Sequence, residues 1–152
     1  MIFKARRNGT IQLQLDPVAR DLIGRACVEL RDTLQEGTEE PALRRLFPTA
    51  YADDPSRQRA YESLVHDDLV DSRVRALDTV IATVDDDAIS REQAEQWMQA
   101  LNAVRLTLGT QLDVSEDRDP YDIAEDDPRF PQFLVYDLLS ALLGSLIAAV
   151  QR

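Results

Sequence analysis

Helix-start signals at three places constrain what this chain can fold into more than any other feature. Asp16-Pro17 and Asp54-Pro55 each put an N-cap side chain before a proline at the first helical position, which is typical of helix N-termini. Ser90 followed by Gln93 matches a capping box. Apolar residues then recur at helical spacing after each signal. The predicted helices span residues 17–36, 55–84 and 90–112.

Pro131 is expected to open a fourth helix that runs to the end of the sequence. Residues 133–150 are apolar on nearly every helical face and are interrupted only by Asp137. Their number approaches the ~20 residues of a membrane span, but an aspartate inside a span is costly, so no membrane contact is expected. We therefore predict the central helix of a bundle.

Two rows of small residues in this last helix have the spacing that lets two helices approach closely. The rows are Ser140, Gly144 and Ala148, and Ala141, Ser145 and Ala149. A close helix crossing at Gly144 is therefore expected, either in the core of the monomer or in the seam of a dimer. A homodimer, if one forms, is predicted to use part of this C-terminal helix.

The first fifteen residues are predicted to form a β-hairpin around Asn8-Gly9. A two-residue loop would pair lysine and arginine with leucine and isoleucine, whereas a three-residue loop ending at Gly9 pairs apolar residues with each other. Gly9 then takes the left-handed position of the turn. The predicted pairs are Met1–Leu15, Phe3–Leu13, Lys4–Gln12, Ala5–Ile11 and Arg6–Thr10.

These elements predict a mainly α fold: a four- to five-helix bundle with an N-terminal β-hairpin. Residues 1–152 are interpreted as a single helical domain with the hairpin at 1–15 and an acidic loop at 113–130. A short helical turn is expected at residues 41–46. The helix over 55–84 has an early apolar patch, and a bend near residues 66–71 is one interpretation of how that patch drifts around the axis. The patch consists of Tyr61, Leu64, Val65 and Leu69.

Charge limits the classes of partner. The net charge is −11 and the pI is about 4.4, so the surface as a whole repels phosphate backbones. The main basic positions are Lys4, Arg6 and Arg7 on the hairpin, with Arg44 and Arg45 later. A winged DNA-binding hairpin would need a basic recognition helix beside it, and none of the predicted helices is basic. Direct DNA binding is therefore not expected, and the hairpin cations are candidates for contact with an acidic protein partner.

Cys27 is the only cysteine, so an intrachain disulfide is excluded and a reducing, cytoplasmic compartment is expected. It lies between Ile23 and Leu30 on the apolar stripe of its helix. Burial among aliphatic side chains makes a thiol inert, so we predict a structural cysteine. The N-terminal segment is basic but has no apolar region, unlike a secretory signal.

His66 is the only histidine, so a Ser-His-Asp site, a Cys-His site or an ordinary zinc site would have to use it. Residues 113–119 space oxygens like a calcium loop, but Arg118 and Ala124 stand where that loop needs glycine and glutamate. We predict a partly exposed surface histidine, no metal, no cofactor and no enzyme. The alternative left open is a metal-dependent hydrolase that uses His66 and nearby carboxylates.

Asn102 and Arg105 lie beside the apolar stripe of the third helix. The guanidinium of Arg105 is expected to be partly buried and to need a carboxylate or carbonyl partner. The favoured interpretation is a polar network that fixes helix register; the other is a small groove for a peptide or ligand. The stripe consists of Ala94, Trp97, Met98, Leu101, Val104, Leu108 and Leu112.

Two segments carry a family resemblance: WMQALNAVRLTLGTQL at residues 97–112, and LFPTAYADD followed by a helix that ends DDLVDSR. They resemble DUF2017, an actinobacterial family of unknown function. The resemblance implies proteins encoded near the adaptor of the Clp protease and near cysteine-biosynthesis genes, and described as candidate transcriptional regulators. We therefore hypothesise a non-enzymatic cytoplasmic regulator that acts by protein contact in stress, proteostasis or sulfur physiology. A protein such as a sigma factor or a protease component would be its partner, and direct DNA binding through the hairpin is the alternative.

Overall fold

The computed structural model describes residues 2–38, 40–47, 49–112 and 124–151. These residues form a mainly helical fold with an N-terminal hairpin, as predicted. In chain order the elements are β1 (Phe3–Ala5), β2 (Ile11–Leu13), α1 (Pro17–Glu36), a 3₁₀ turn (Pro41–Leu43), α2 (Pro55–Thr83), β3 (Ala88–Ile89), α3 (Arg91–Gln111) and α4 (Phe130–Val150). The predicted pair Met1–Leu15, most of the acidic loop and the calcium-like segment 113–119 lie outside the described residues.

The predicted caps are present at the first three helices. Asp16 Oδ1 accepts from the Ala19 amide at 2.7 Å, and Asp54 Oδ1 accepts from the Arg57 amide at 3.1 Å. Ser90 forms the complete capping box of α3. Each cap satisfies backbone donors that the first helical turn leaves free, which is why the helix starts could be predicted to the residue.

The hairpin has the predicted three-residue register. Phe3 pairs with Leu13, Lys4 with Gln12 and Ala5 with Ile11, and Gly9 has a φ of +88°. A third strand was not predicted: β3 pairs antiparallel with β2, with Ile11 opposite Ile89. Residues 85–87 are the expected loop, but the two residues after them complete a three-stranded sheet.

Arg20 joins this sheet to the helices, a role that no local sequence pattern indicates. Its Nε donates to the Leu15 carbonyl at 2.9 Å, and its Nη2 donates to the Leu13 carbonyl at 3.1 Å. Its Nη1 donates to the carbonyls of Val84 at 2.7 Å and Asp86 at 2.8 Å. One guanidinium therefore joins the exit of β2, the start of α1 and the end of α2.

The central helix is α3, which packs against α2, α4, α1 and the 3₁₀ turn. Trp97 on α3 is fully buried, and its ring meets the ring of Phe3 edge-on at 6.0 Å between centroids. The indole Nε1 donates to Thr83 Oγ1 at 2.8 Å. The core thus forms where the sheet, α2 and α3 meet.

The prediction that the last helix is central is wrong. α4 packs mainly against α3 and β1, and only 28% of its apolar 18-residue stretch is buried. α4 is long and apolar enough to cross a membrane, but core helices of soluble proteins meet the same two criteria. A close crossing at Gly144 within the monomer is also absent among the described residues, because a Cβ added there would meet nothing within 4 Å; the dimer seam stays a prediction. High apolar content does not tell which neighbours cover a helix.

The early apolar patch of α2 does not join the core as a unit. Leu64 is 79% exposed, and Tyr61, Val65 and Leu69 are half-buried. The buried residues of α2 lie between Ala76 and Thr83. None of the first 21 residues of this 29-residue helix is buried, so the apolar residues of its N-terminal part stay partly in solvent.

Candidate interaction sites

A polar cluster joins α3 to α4 around Arg105. Arg105 Nη2 donates to Asn102 Oδ1 at 2.8 Å, and Nη1 lies 3.4 Å from the hydroxyl of Tyr136. The guanidinium carbon also lies 6.0 Å from the centroid of the Tyr136 ring, within cation–π range. The Nε of Arg105 is buried and finds no hydrogen-bond partner among the described residues.

Gly109 allows Tyr136 to reach this cluster. A Cβ at Gly109 would lie 2.8 Å from Cε2 of Tyr136 and 3.4 Å from Nη1 of Arg45. Only a residue without a side chain lets both groups approach α3 so closely. A glycine inside a helix, which helix propensity disfavours, is a sequence signal that could have indicated this contact.

Structure and sequence agree only in part on this cluster. The predicted carbonyl partner of Arg105 is the side chain of Asn102, one turn away on the same helix. Tyr136 was not predicted, because nothing local in the sequence indicates which residue of α4 faces Arg105. Whether the cluster fixes helix register or lines a groove stays a prediction.

The three hairpin cations form an outward face. Lys4, Arg6 and Arg7 are exposed, while Phe3 on the other face of β1 is fully buried against Trp97. Within the described part of the chain no ion pair joins these three cations to a carboxylate. These cations and the Arg105 cluster are separate sites. Phe3 of the same strand contacts Trp97, and Trp97 lies two helical turns, about 12 Å along α3, before Arg105.

A cleft of about 430 Å³ opens between α1, the 3₁₀ turn, α3 and α4. Its lining mixes apolar side chains with polar ones such as Thr33, Thr107 and Gln111, and it borders the exposed carboxylates of Glu29 and Glu40. No local sequence pattern indicates this cleft, because its walls come from four separated segments. The apolar lining residues include Leu30, Leu43, Val104, Leu108 and Val135.

Cys27 is buried in α1 as predicted, with 1% of its surface exposed. Burial raises the pKa of its thiol to about 12, because the thiolate would lose its hydration among apolar neighbours. At neutral pH the group is therefore a protonated thiol. It can act as a small core residue and is a poor nucleophile.

His66 is half-buried, as predicted, on the first half of α2. Its Nε2 lies 2.8 Å from the hydroxyl of Thr38, and its ring lies 5.0 Å from the ring of Phe47. A second cleft of about 680 Å³ borders His66 together with Glu62 and Asp67. Among the described residues, no group of three or more histidine, cysteine, aspartate or glutamate side chains is placed to hold a metal ion.

The resolved pKa shifts outside the core belong to exposed ion pairs. A side-chain hydrogen bond from Arg129 lowers the pKa of Asp127, and the same bond raises the pKa of Arg129. Arg31 on α1 pairs with Asp78 on α2 at 3.1 Å, and this hydrogen bond raises the pKa of Arg31. Ion pairs that are this open to solvent add little stability. Each shift is explained by its ion-pair partner, so neither shift indicates a reactive group.

Comparison with known proteins identifies the family of this chain. The model of a family described as "Domain of unknown function (DUF2017)" matches residues 1–150, which confirms the resemblance of the two sequence segments. The chain is also similar to proteins named "Oxidative stress regulator AosR" from Mycobacterium bovis and from two strains of Mycobacterium tuberculosis. Identity is 30% over 125 residues, covering 71% of this chain and 57% of each relative. No solved structure matches.

Proposed function

This chain belongs to the DUF2017 family, and we propose that it is a non-enzymatic regulatory protein of the cytoplasm that acts by contact with another protein. The observation that carries the proposal is the 30% identity to proteins named oxidative stress regulators. The chain spans little more than half the length of these relatives, 57%. The proposed role is therefore that of the segment they share.

The outward face of the hairpin is the proposed contact. Most of a surface with net charge −11 repels an acidic protein, so an acidic partner would be steered to a local cationic face. Lys4, Arg6 and Arg7 supply that face. The four carbonyl contacts of Arg20 hold the sheet in place before any partner arrives, which reduces the ordering cost of binding.

The proposed physiology is the response to stress, with proteostasis and sulfur metabolism as the other settings that the family resemblance implies. Cys27 does not supply the sensing step in this proposal. Its thiol is buried and has a pKa of about 12, and the sequence holds no second cysteine to pair with it. Sensing is assigned instead to the partner, and this chain transmits the signal by contact.

Capture of the partner in the native cell tests this proposal. The chain would be crosslinked to its neighbours, recovered and analysed by quantitative mass spectrometry, with Arg6→Glu/Arg7→Glu as the test variant. The matched control is Arg59→Glu/Arg75→Glu, which changes the same charge at exposed positions of α2. We expect an acidic protein that is captured by wild type and control and lost from the hairpin variant; equal capture by all three would contradict the proposal.

Two further measurements separate the other functional classes. Anisotropy of labelled duplex DNA at low and physiological salt tests the hairpin as a DNA-binding wing, because phosphate contacts weaken steeply with salt. Binding that survives physiological salt and disappears in Arg6→Glu/Arg7→Glu would favour that alternative. Elemental analysis of the purified protein tests the metal-dependent hydrolase, and a stoichiometric metal lost in His66→Ala would favour it.

A further inference from the structure

The cleft between α1, the 3₁₀ turn, α3 and α4 has the size of a small-molecule site. Its volume is about 430 Å³, within the range of about 300–1,000 Å³ that is usual for such sites. Along α3 it extends from Val104 to Gln111, which is about 10 Å of helix. Three residues of extended peptide already cover that length, so the cleft has room for a small molecule and not for a longer segment of chain.

Aliphatic side chains form much of the cleft wall. Leu30, Leu43 and Val104 are buried in the core and fix the wall in place, whereas Leu108 and Val135 are half-buried and keep apolar surface open to the cleft. A ligand that removes this surface from water is favoured by the hydrophobic effect. The ligand should therefore have an apolar body.

The polar side chains of the cleft act mainly as hydrogen-bond acceptors. The hydroxyl of Thr33 donates to the Glu29 carbonyl at 2.9 Å, and the hydroxyl of Thr107 donates to the Ala103 carbonyl at 2.8 Å. A hydroxyl has one proton to donate, so both threonines offer only lone pairs to a ligand. The carboxylates of Glu29 and Glu40, which border the cleft, are acceptors as well.

Charge indicates the same class of ligand. Glu29 lies on α1 and Glu40 is the N-cap of the 3₁₀ turn, so the two carboxylates come from different elements. Among the described residues that line the cleft there is no lysine, arginine or histidine, and the Gln111 amide is the one side chain that carries N–H groups. An anion would lose its hydration here for a single donor. A donor that carries positive charge would instead meet several acceptors, two of them charged.

We propose that this cleft binds a small organic cation, an amine with an apolar body. The body packs against the aliphatic wall, and the ammonium group donates to the carboxylates that border the cleft. Asn102 and Arg105 do not line it, so the site is separate from the polar cluster of α3 and α4. It is also independent of the proposed regulatory contact, because the hairpin cations are not part of the cleft, and the failure of either proposal leaves the other unaffected.

A set of matched compounds separates the effect of the apolar body from that of the charge. Phenylbutylamine has both, phenylbutanol has the same body without charge, phenylbutyrate has it with the opposite charge, and butylamine has the charge without the ring. Each is titrated into the isotope-labelled full chain and followed by backbone amide chemical shifts. Phenylbutylamine should bind about tenfold more tightly than any of the others, because it alone uses both the wall and the carboxylates. The largest shifts should lie at Leu30, Leu43, Val104 and Leu108.

Variants at exposed positions test the carboxylates without a risk to the fold. Glu29→Gln/Glu40→Gln should weaken the binding of phenylbutylamine about fivefold, since two solvent-exposed ion pairs are lost, and should leave phenylbutanol unchanged. The matched control is Glu36→Gln/Glu62→Gln, which removes the same charge at exposed positions outside the cleft and should bind like wild type. Ala26→Met should weaken phenylbutylamine and phenylbutanol together, because Ala26 lines the cleft and the longer side chain takes up part of it.

Three results would overturn the proposal. The first is equal affinity for phenylbutylamine and phenylbutyrate. The second is equal weakening by the two glutamine pairs, since the amine would then be held by the general negative charge of the chain. The third is that the largest shifts lie at the other cleft, which borders His66. Displacement of phenylbutylamine by the captured protein partner would assign the cleft to a side chain of that partner and would also count against a small-molecule site.

Discussion

The ring of Tyr136 on α4 lies against the backbone of Gly109 on α3, so that a Cβ at Gly109 would come 2.8 Å from Cε2 of the tyrosine. Real Cβ contacts are not that short, so any side chain at this position must displace the ring. The same ring approaches the guanidinium of Arg105. One glycine thereby sets how closely the two helices pack and where their polar cluster forms.

Gly109→Ala is expected to destabilise the fold by about 1–3 kcal/mol, the usual cost of overpacking. The helix propensity of alanine opposes this loss by less than about 1 kcal/mol. Urea unfolding followed through Trp97, the only tryptophan, measures the change. Gly24→Ala on α1 is the control, because a Cβ there would lie 3.7 Å from Cγ1 of Val84, an ordinary contact, and stability should be unchanged or slightly raised. Equal losses at both positions would contradict the close-packing account.

Arg20→Met should destabilise the fold by about 2–4 kcal/mol, because it removes several hydrogen bonds from a charged donor to backbone carbonyls. Amide hydrogen exchange should rise first at Leu13 and around Asp86, where two of the acceptors lie. Arg25→Met on the same helix is the matched control. Its exposed pair with Asp21 is worth less than about 0.5 kcal/mol, so a similar loss in both variants would count against the clamp.

Thr83→Val should cost about 1–3 kcal/mol, because it leaves the buried indole N–H of Trp97 without an acceptor. Thr79→Val is the control. The hydroxyl of Thr79 donates only within its own helix, to the Arg75 carbonyl, so its loss should change stability little. Urea unfolding compares the two, and the bond would be unimportant if the two valine variants were equally stable.

The thiol of Cys27 should react with a native-state labelling reagent only as fast as the protein opens. Stability should also fall with rising pH above about 9, because an unfolded thiol releases its proton near 9.0 and the buried one near 12. The folded state therefore holds more protons across that window, and the stabilisation is complete below it. Urea unfolding of wild type and Cys27→Ala at several pH values isolates the effect. The difference between their free energies of unfolding should shrink as pH rises. Fast labelling of the native state would instead favour a redox role for Cys27.

A double-mutant cycle on Asn102→Ala and Arg105→Met tests the polar cluster. If the hydrogen bond between them fixes the packing of α3, the two changes should be coupled by about 0.5–1.5 kcal/mol in unfolding free energy. Tyr136→Phe should couple more weakly to Arg105→Met, since its hydroxyl contact is longer. Zero coupling, together with loss of a captured partner, would favour the groove over the register-fixing network.

Local sequence patterns were sufficient to predict the parts of the fold that depend on neighbours a few residues away. Asp16, Asp54 and Ser90 cap their own helices, and each acceptor reaches an amide within the first turn. The register around Gly9 follows from pairing apolar residues over a short loop. The burial of Cys27 follows from its place on one helical stripe.

Which surfaces meet depends on packing between elements that are far apart in the sequence. The apolar content of α4 predicted a central helix, yet α3 takes that position and α4 keeps a face in solvent. Arg20 finds carbonyls more than sixty residues away, and Tyr136 meets Arg105 across two helices. The local sequence pattern shows how apolar a helix is. Which element covers that helix depends on how the elements are placed relative to one another, and this placement is a balance of many weak contacts over the whole chain.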